Sequence, residues 1–535
     1  MSNQDQSWGI LPTQQDEDNT RAHAVSDPAG YHAGIAGREL HWFDGNTQSW
    51  ISQTDTGEWA GWHDRDASSA HADASWQPWS HPLDDSLAPY YRWFVDGQTN
   101  ACFNLIDRHV LSGRGDQIAI VFEGDRWDPS KNDGRGGPVH EQRVTYRELL
   151  VEVALRTRVL KQADLSCGDR VALNLPNVLE QIFYILACQR LGVIYTPVFG
   201  GFSAKTLSDR IHDAGAKVVI TADGGYRNAE VVPYKSTYTD PALDNYIPRP
   251  AALEALSATL RTRLSADVAE RLEAQVSDAI AGEITLERAD VMRELGLALE
   301  RERGTAPEVI AELRTTVASE LANVGHAVTH VIVIRYTGND IVEHTRDFWS
   351  PDLVAQVETD LLADAGVADR AALYSLDDTA LWQAVGPHAA AVPVEANWPL
   401  FIIYTSGSTG KPKGVVHTHG GWLSGITHTL RTVFNANQDD CLYVIGDPGW
   451  ITGQSYLIAA PLAFGMSTMI AEGSPLFPHA GRFASIIERN NVTIFKAGST
   501  FLKAVMTDPA STQEMSRYDM SSLKVGTFCA EPVSP

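Results

Sequence analysis

The sequence predicts a layered α/β protein with helical inserts, and three observations carry that prediction. Between Ala101 and Ala222, apolar runs such as QIAIVFE, RVALNLP and AKVVITAD alternate with an amphipathic stretch, TYRELLVEVALRTRVLKQ. Buried strands alternating with covering helices suggest parallel α/β layers. The 535 residues exceed what one core organises, so two or more subdomains are expected. Two later segments change to Ala-, Leu- and acid-rich text at helical spacing, which marks them as insertions into the α/β pattern.

Taken in order, residues 1–100 are rich in Trp, His, Asp and Gln and poor in periodic runs, and read as a wrapping segment made largely of loop. Residues 101–240 form a first α/β subdomain. Residues 241–325 form a helical insert, in which Thr305 and Glu308 have capping-box spacing and Val309, Leu313, Val317 and Leu321 recur along one face. These stripes are expected to pack on the α/β core or on another domain, a decoration that packs only on itself being the alternative. The strand HVIVIRY returns to the core within 326–354, a second insert spans 355–397, and 398–535 is an α/β subdomain opening on the strand LFIIY. There is no fixed-period repeat.

Composition narrows the partners. A formal charge of -25 and a pI near 5.0 argue against nucleic acid and anionic membranes, so any phosphate site must be local. Five dispersed cysteines without a CxxC pair favour neither a disulfide framework nor zinc, which fits the cytoplasm. The N-terminus lacks signal-peptide features, and the apolar run YLIAAPLAFGMSTMIA is interrupted by Pro461, Gly465 and Ser467, so no membrane span is expected.

The most informative stretch is YTSGSTGKPKGVVHTHGG, Tyr404 to Gly421, where an apolar strand runs into glycines, hydroxyls and two lysines. Backbone N–H groups and hydroxyls in such a loop suit phosphate oxygens. It is not a Walker loop, because only two residues separate Gly407 from Gly410 and Pro412 follows Lys411. A generic Gly/Ser loop would be a surface turn; this one is longer and more specific.

YTSGSTGKPKGV resembles the signature of adenylate-forming enzymes. RWFVDGQTNACFNLIDRHV, VFGGFSAKTLSDRIHDAGAKVVITAD, DPGWITGQSYLIAAPLAFG and AEPVSP resemble the ordered blocks of AMP-forming acyl-CoA synthetases of the acetyl-CoA and propionyl-CoA type, across about 27–240, 326–354 and 398–535. The resemblance implies the large N-terminal domain of the adenylate-forming fold, with ATP, Mg2+ and CoA as cofactors and a short-chain carboxylate as substrate. It implies that Thr405, Ser406, Gly407, Ser408, Thr409, Gly410 and Lys413 surround the ATP phosphates, Lys413 being catalytic and Lys411 solvated. Ala530, Glu531 and Pro532 stand where the family usually has GEP beside the nucleotide.

For the acyl pocket the resemblance implies Trp450 as a wall, Ile451, Thr452 and Gln454 near the substrate chain, and Cys529 as a further wall. Taken alone, Trp450 reads as core packing and Cys529 as a small buried hydrophobe. Gln454 replaces a usual His, and its amide is suited to receive a substrate hydroxyl. For CoA, Arg227 and Thr452 carry over, whereas Glu230 and Leu476 depart from the usual Arg and Asn. His417 and His419 receive no metal or base role, and no metal site is expected.

The inserts and the end after AEP resemble the synthetase part of multifunctional enzymes that act on 3-hydroxypropionate and continue into hydratase-like and reductase-like domains. On that reading the small C-terminal synthetase domain is absent from this chain, which by itself would not complete a turnover. A docking fragment and a stand-alone synthetase are the alternatives, and homo-oligomerisation is left open.

Overall fold

Parallel pairing of buried apolar strands organises the computed structural model, which describes residues 13–53, 58–61, 76–302, 305–405, 412–507 and 509–530. One sheet has seven strands in the order Asp347–Trp349, His330–Ile334, Val218–Ala222, Arg170–Asn174, Ile194–Pro197, Pro399–Thr405 and Lys413–Thr418. All neighbours are parallel except the last pair, in which Thr405 lies opposite Lys413. A second sheet has six strands, Glu141–Thr145, Ile118–Glu123, Ser467–Ala471, Cys441–Val444, Ile494–Gly498 and Val525–Cys529, with only the first pair antiparallel. Val218–Ala222 and Cys441–Val444 are buried along their whole length, as strands covered on both faces must be.

The predicted amphipathic helix is Tyr146–Gln162, started by a capping box between Thr145 and Glu148. It packs on the helix Leu179–Leu191, and the two contribute Leu149, Val153, Leu160, Ile182 and Leu186 to a core shared by strands of both sheets.

Several expectations need correction. The N-terminal part is more regular than its text implied: helices Gln14–Ser26 and Pro28–Glu39 precede a three-stranded sheet of Trp42–Asp44, Ser49–Gln53 and Trp59–Gly61. Its strands hold three to five residues, too short for a periodic signal. A boundary at residue 398 does not divide the sheets. Tyr195 pairs with Phe401 in one and Ile120 with Thr468 in the other, so both sheets draw on both halves of the sequence.

The helical insert also differs. Its last helix begins at Pro307 with Ala306 as the capping position and no side-chain cap, so Thr305 and Glu308 do not form the expected box. Proline at the first helical position is already set at a helical φ and has no N–H to satisfy. Helices Arg249–Arg263, Ala266–Ala279, Arg288–Arg301 and Pro307–Ala322 bury Leu256, Leu272, Leu295, Leu313, Val317 and Leu321 against one another in a separate core. The stripes therefore face inward within the insert. Its junction with the helix Ala204–Ala214 is polar: Lys205 reaches Glu283 at 2.9 Å, and Asp209 accepts from the Thr285 N–H at 2.9 Å.

The segment read as a second insert belongs to the main core. Helices Ser350–Ala365 and Asp378–Ala389 pack on Tyr146–Gln162 and bury Val357, Leu361, Leu381 and Val385 there. The Trp382 indole donates to Asp107 at 2.8 Å, while Asp107 pairs with Arg190 at 2.6 and 2.9 Å. Both charged partners are buried and further hydrogen-bonded, Asp107 accepting from Trp382 and Arg190 donating to the Ala389 carbonyl, the condition under which an interior ion pair is tolerated. Among the described residues no helix is long and apolar enough to cross a membrane, and all five cysteines are free thiols.

Because the insert has its own core, Leu313→Ala should destabilise it locally by about 2–5 kcal/mol. Hydrogen exchange should accelerate across 249–322 while protection of Ile118–Glu123 and Val218–Ala222 stays unchanged. Loss of protection in those strands would show that the two cores are one folding unit.

Candidate functional site

Loops that follow the carboxyl ends of parallel strands in the two sheets touch one another and leave Trp450 and Ile451 exposed, and this region is the candidate crevice. Ligands of open α/β sheets bind at that end, where loops leave the strands and backbone groups are free. Asn177, after Arg170–Asn174, donates through Nδ2 to the Gly446 carbonyl after Cys441–Val444 at 3.2 Å. Trp450 lies with its ring centroid 6.0 Å from Phe199 and 5.7 Å from Phe202, both in the loop after Ile194–Pro197. A Cβ at Gly449 would fall 2.6 Å from the Phe199 backbone, so only glycine allows this approach.

Trp450 and Ile451 are exposed here and Thr452 is partly exposed, an arrangement open to a small ligand rather than packed into the core. Gln454 is different. Its Oε1 accepts from the Tyr195 hydroxyl at 2.8 Å and its Nε2 donates to the Pro448 carbonyl at 2.6 Å. Gln189 donates to the same Tyr195 oxygen at 3.1 Å. The expected reception of a substrate hydroxyl therefore meets an amide engaged at both ends in the interior. Gln454 holds the turn under Trp450.

Arg227 and Glu230 face each other in a two-stranded hairpin, Gly225–Arg227 with Glu230–Val232. Arg227 is exposed, and the turn uses Asn228 and Ala229 at φ 55° and 63°. Buried carboxylates hold the hairpin down. Glu472 accepts from the Tyr226 N–H at 2.7 Å, and Asp125 accepts from the Ala229 N–H at 2.6 Å. Glu472 also accepts from the Tyr336 hydroxyl at 2.7 Å and the Asp125 N–H at 3.1 Å. Burial pushes its carboxyl up, and those three donors oppose the shift. Beside it, Asp223 accepts the N–H groups of Tyr336, Thr337 and Gly338 at 2.9, 3.0 and 2.8 Å. Leu476 packs on the small core beneath the six-stranded sheet.

Asp447, between Cys441–Val444 and Trp450, accepts the Gly449 N–H through Oδ1 at 2.6 Å, and its carbonyl accepts the Trp450 N–H at 2.9 Å. It keeps an exposed edge in the crevice, yet desolvation pushes its carboxyl up to about 7. Sequence reading missed Asp125, Tyr195, Asp223, Asp447 and Glu472. A signal was available: each carboxylate stands one to three residues after an apolar strand, where a carboxyl is either paired or functional.

Of the loop expected to bind phosphates, Ser406, Gly407, Ser408, Thr409, Gly410 and Lys411 lie outside the described residues. The positions bracketing them are described: Thr405 ends one strand, and Lys413, exposed and without an ion pair to another described residue, opens the next. Glu531 and Pro532 also lie outside the described residues. Cys529 ends the edge strand Val525–Cys529, half-buried, with its Sγ 3.8 Å from the Ala497 carbonyl. Ala530 has φ 77°, a left-handed conformation that glycine adopts without strain and alanine does not.

His417 and His419 are both engaged in packing or hydrogen bonding. His419 is buried, its Nδ1 accepts the Ala101 N–H at 3.0 Å, and burial pushes its pKa down to about 3. His417 stacks on Phe401 with centroids 4.7 Å apart. Asp240, Asp244 and His344 approach one another closely enough to hold a cation. Lys235 and Arg346, each 2.8 Å from one of those carboxylates, already neutralise them.

Residues 108–535 match the family described as AMP-binding enzyme, and residues 68–105 match the acetyl-coenzyme A synthetase N-terminus. The chain belongs to the AMP-binding enzyme family. It is 33% identical over 471 residues to an acetyl-coenzyme A synthetase of Methylobacillus flagellatus, covering 88% of this chain and 54% of that protein. It is 31% identical over 520 residues to an acetyl-coenzyme A synthetase of Herminiimonas arsenicoxydans, covering 96% and 56%. The chain thus spans about half the length of the curated relatives it matches.

Two outcomes follow from the site's geometry. Ala530→Gly should raise stability by about 1 kcal/mol in denaturant unfolding, because glycine relieves the positive φ. Gln454→Leu should cost about 1–3 kcal/mol, since Tyr195 and the Pro448 carbonyl lose their partner. Unchanged midpoints would remove the strain at Ala530 and the anchoring by Gln454.

Proposed function

We propose that this chain carries the carboxylate-activating part of an AMP-forming acyl-CoA synthetase: a short-chain carboxylate and magnesium–ATP give an acyl-adenylate and pyrophosphate, and CoA then displaces AMP to give a thioester. The observation that carries this reading is the pairing of Thr405 with Lys413, which sets a cation at the exit of the Gly/Ser/Thr loop, at the crevice end of the sheet. In a chain of net charge -25, such a local cation is what allows a polyanionic nucleotide to approach an anionic carboxylate.

In this reading Thr405, the loop from Ser406 to Gly410 and Lys413 bind the phosphates, while Ala530, Glu531 and Pro532 flank the nucleotide. Trp450, Ile451, Thr452 and Cys529 bound the acyl group, with Gln454 acting through the turn it holds. Arg227 and Thr452 face CoA. The exposed Trp450 beside Phe199 and Phe202 supports a small apolar acyl site. Oriented carboxylate, loop hydroxyls and Lys413 together lower the barrier by positioning and by offsetting charge at the α-phosphate.

The finer reading is the synthetase part of a propionyl-CoA synthase, acting on 3-hydroxypropionate ahead of hydratase-like and reductase-like domains. The self-contained helical insert supports it, while the Gln454 amide, engaged by Tyr195 and Pro448, does not. A stand-alone acetyl- or propionyl-CoA synthetase is the second reading, favoured by the names of the relatives.

The test is carboxylate-dependent exchange of pyrophosphate into ATP by the protein containing this chain, with acetate, propionate and 3-hydroxypropionate compared. Lys413→Ala should reduce exchange by roughly 10- to 1,000-fold with unchanged circular dichroism. Exchange at the wild-type rate would remove Lys413 from the reaction, and a preference for acetate or propionate would favour the second reading.

A further inference from the structure

Asp447 sits in the crevice without the cationic partner that a carboxylate in such surroundings normally requires. Its Oδ1 is held by the Gly449 N–H, while its Oδ2 accepts no hydrogen bond from a described residue. The turn that carries it is pinned on several sides. Asn177 binds the preceding Gly446 carbonyl, Trp450 N–H closes onto the Asp447 carbonyl, and the Gln454 amide holds Pro448. A Cβ at Gly453 would fall 2.0 Å from the Asp447 carbonyl oxygen, so the next helical turn is seated directly on this residue.

The carboxylate also lies between two ends of one route. On one side, Asp447 is followed at once by Trp450 and Thr452, assigned above to the acyl group and to CoA. On the other, the Tyr234 ring packs on Gly225 at the root of the Arg227 hairpin, with a Cβ at Gly225 falling 3.1 Å from the ring. At its other end the Tyr234 hydroxyl lies 2.2 Å from where a Cβ at Gly200 would fall, beside Phe199, whose backbone the turn of Asp447 approaches at Gly449, so the ring spans from the hairpin root to the loop on which that turn packs. A CoA molecule with its phosphates at Arg227 and its thiol near Thr452 would pass Tyr234 and reach Asp447.

Resting on the function proposed above, we propose that Asp447 is the general base that accepts the thiol proton of CoA during thioester formation. The S–H bond breaks as its proton moves to Oδ2, and the sulfur electron pair forms the bond to the acyl-adenylate carbonyl carbon. The tetrahedral species collapses with cleavage of the carbonyl carbon–oxygen bond to AMP, which leaves with that electron pair. Asp447 then gives its proton to water, and no oxidant or further reactant is needed.

The carboxyl's value of about 7 lies close to the ordinary thiol value near 8.5, the matching that makes proton transfer efficient near neutral pH. The facing titratable group is Tyr234, whose hydroxyl is pushed up by burial first and by Asp447 next, so it remains a neutral phenol. The charges of Glu472 and Arg227 also act on that hydroxyl, the first raising its pKa and the second lowering it.

The test compares the two half-reactions in the protein containing this chain. Asp447→Asn should slow thioester formation from preformed acyl-adenylate by about 100- to 10,000-fold, far more than it slows pyrophosphate exchange. The wild-type rate of thioester formation should rise with pH through an inflection near 7, and the variant should lose that inflection. An aryl thiol already ionised at pH 8 needs no base and should react with both proteins at similar rates. Retention of the inflection in Asp447→Asn, or an equal fall in both half-reactions and with both thiols, would overturn the assignment and leave Asp447 a structural residue. Absence of exchange in the wild type with every short carboxylate would instead overturn the functional reading, and this assignment with it.

Discussion

One buried carboxylate, Glu472, ties the two sheets together at the end where the crevice lies. It stands immediately after the strand Ser467–Ala471 of the six-stranded sheet and accepts hydrogen bonds from Tyr226, Tyr336 and Asp125. Tyr226 and Tyr336 follow strands of the seven-stranded sheet, whereas Asp125 follows a strand of its own sheet. A carboxylate in the interior is costly unless its lone pairs are occupied, so the three donors must stay where they are for the fold to tolerate it. Arg482, also buried, donates to the Gly124 and Glu472 carbonyls at 3.0 Å each and fastens the same two strand ends from below.

The crevice inherits its geometry from that tie. With the strand ends fixed, the hairpin of Arg227 is seated on Glu472 and on the Tyr234 ring, and the turn of Asp447 and Trp450 is seated on the Phe199 loop, so neither needs a large loop to position it. The protein's excess negative charge makes the few cations in the cleft matter more. Lys413 and Arg227 are exposed, while many other basic groups, such as Arg190 and Lys235, are committed to interior ion pairs. Charge that faces the crevice remains free for a ligand, and charge inside serves the architecture.

The helical insert follows a different rule. Its four main helices bury their own stripes and meet the α/β body through Lys205, Asp209 and Arg288, polar contacts at a junction. A module with its own core can be accommodated between strands without disturbing their pairing, which is why Val218–Ala222 and His330–Ile334 lie side by side across more than a hundred residues of sequence. The neighbouring stretch 355–397 has similar composition and the opposite fate, because Leu361, Leu381 and Val385 find the flank of Tyr146–Gln162 and the Arg190–Asp107 pair provides an anchor for Trp382.

The α/β class, the strands of the central runs, the helix 146–162 and the strands that flank the glycine- and hydroxyl-rich loop between Thr405 and Lys413 were legible from local pattern. Strand burial and helical periodicity are properties of neighbouring residues, and a long glycine- and hydroxyl-rich loop is distinctive by itself. Which sheet each strand joins was not legible, because pairings such as Ile120 with Thr468 are long-range and leave no local mark. Amphipathic stripes announced that the two helical segments must be covered but not by what, so the insert's private core and the burial of 355–397 emerged only in three dimensions. The same holds for Gln454, Asp447 and Glu472: composition names an amide and two acids, but whether each is satisfied, held or left open toward the crevice depends on partners up to some 350 residues away, as between Glu472 and Asp125.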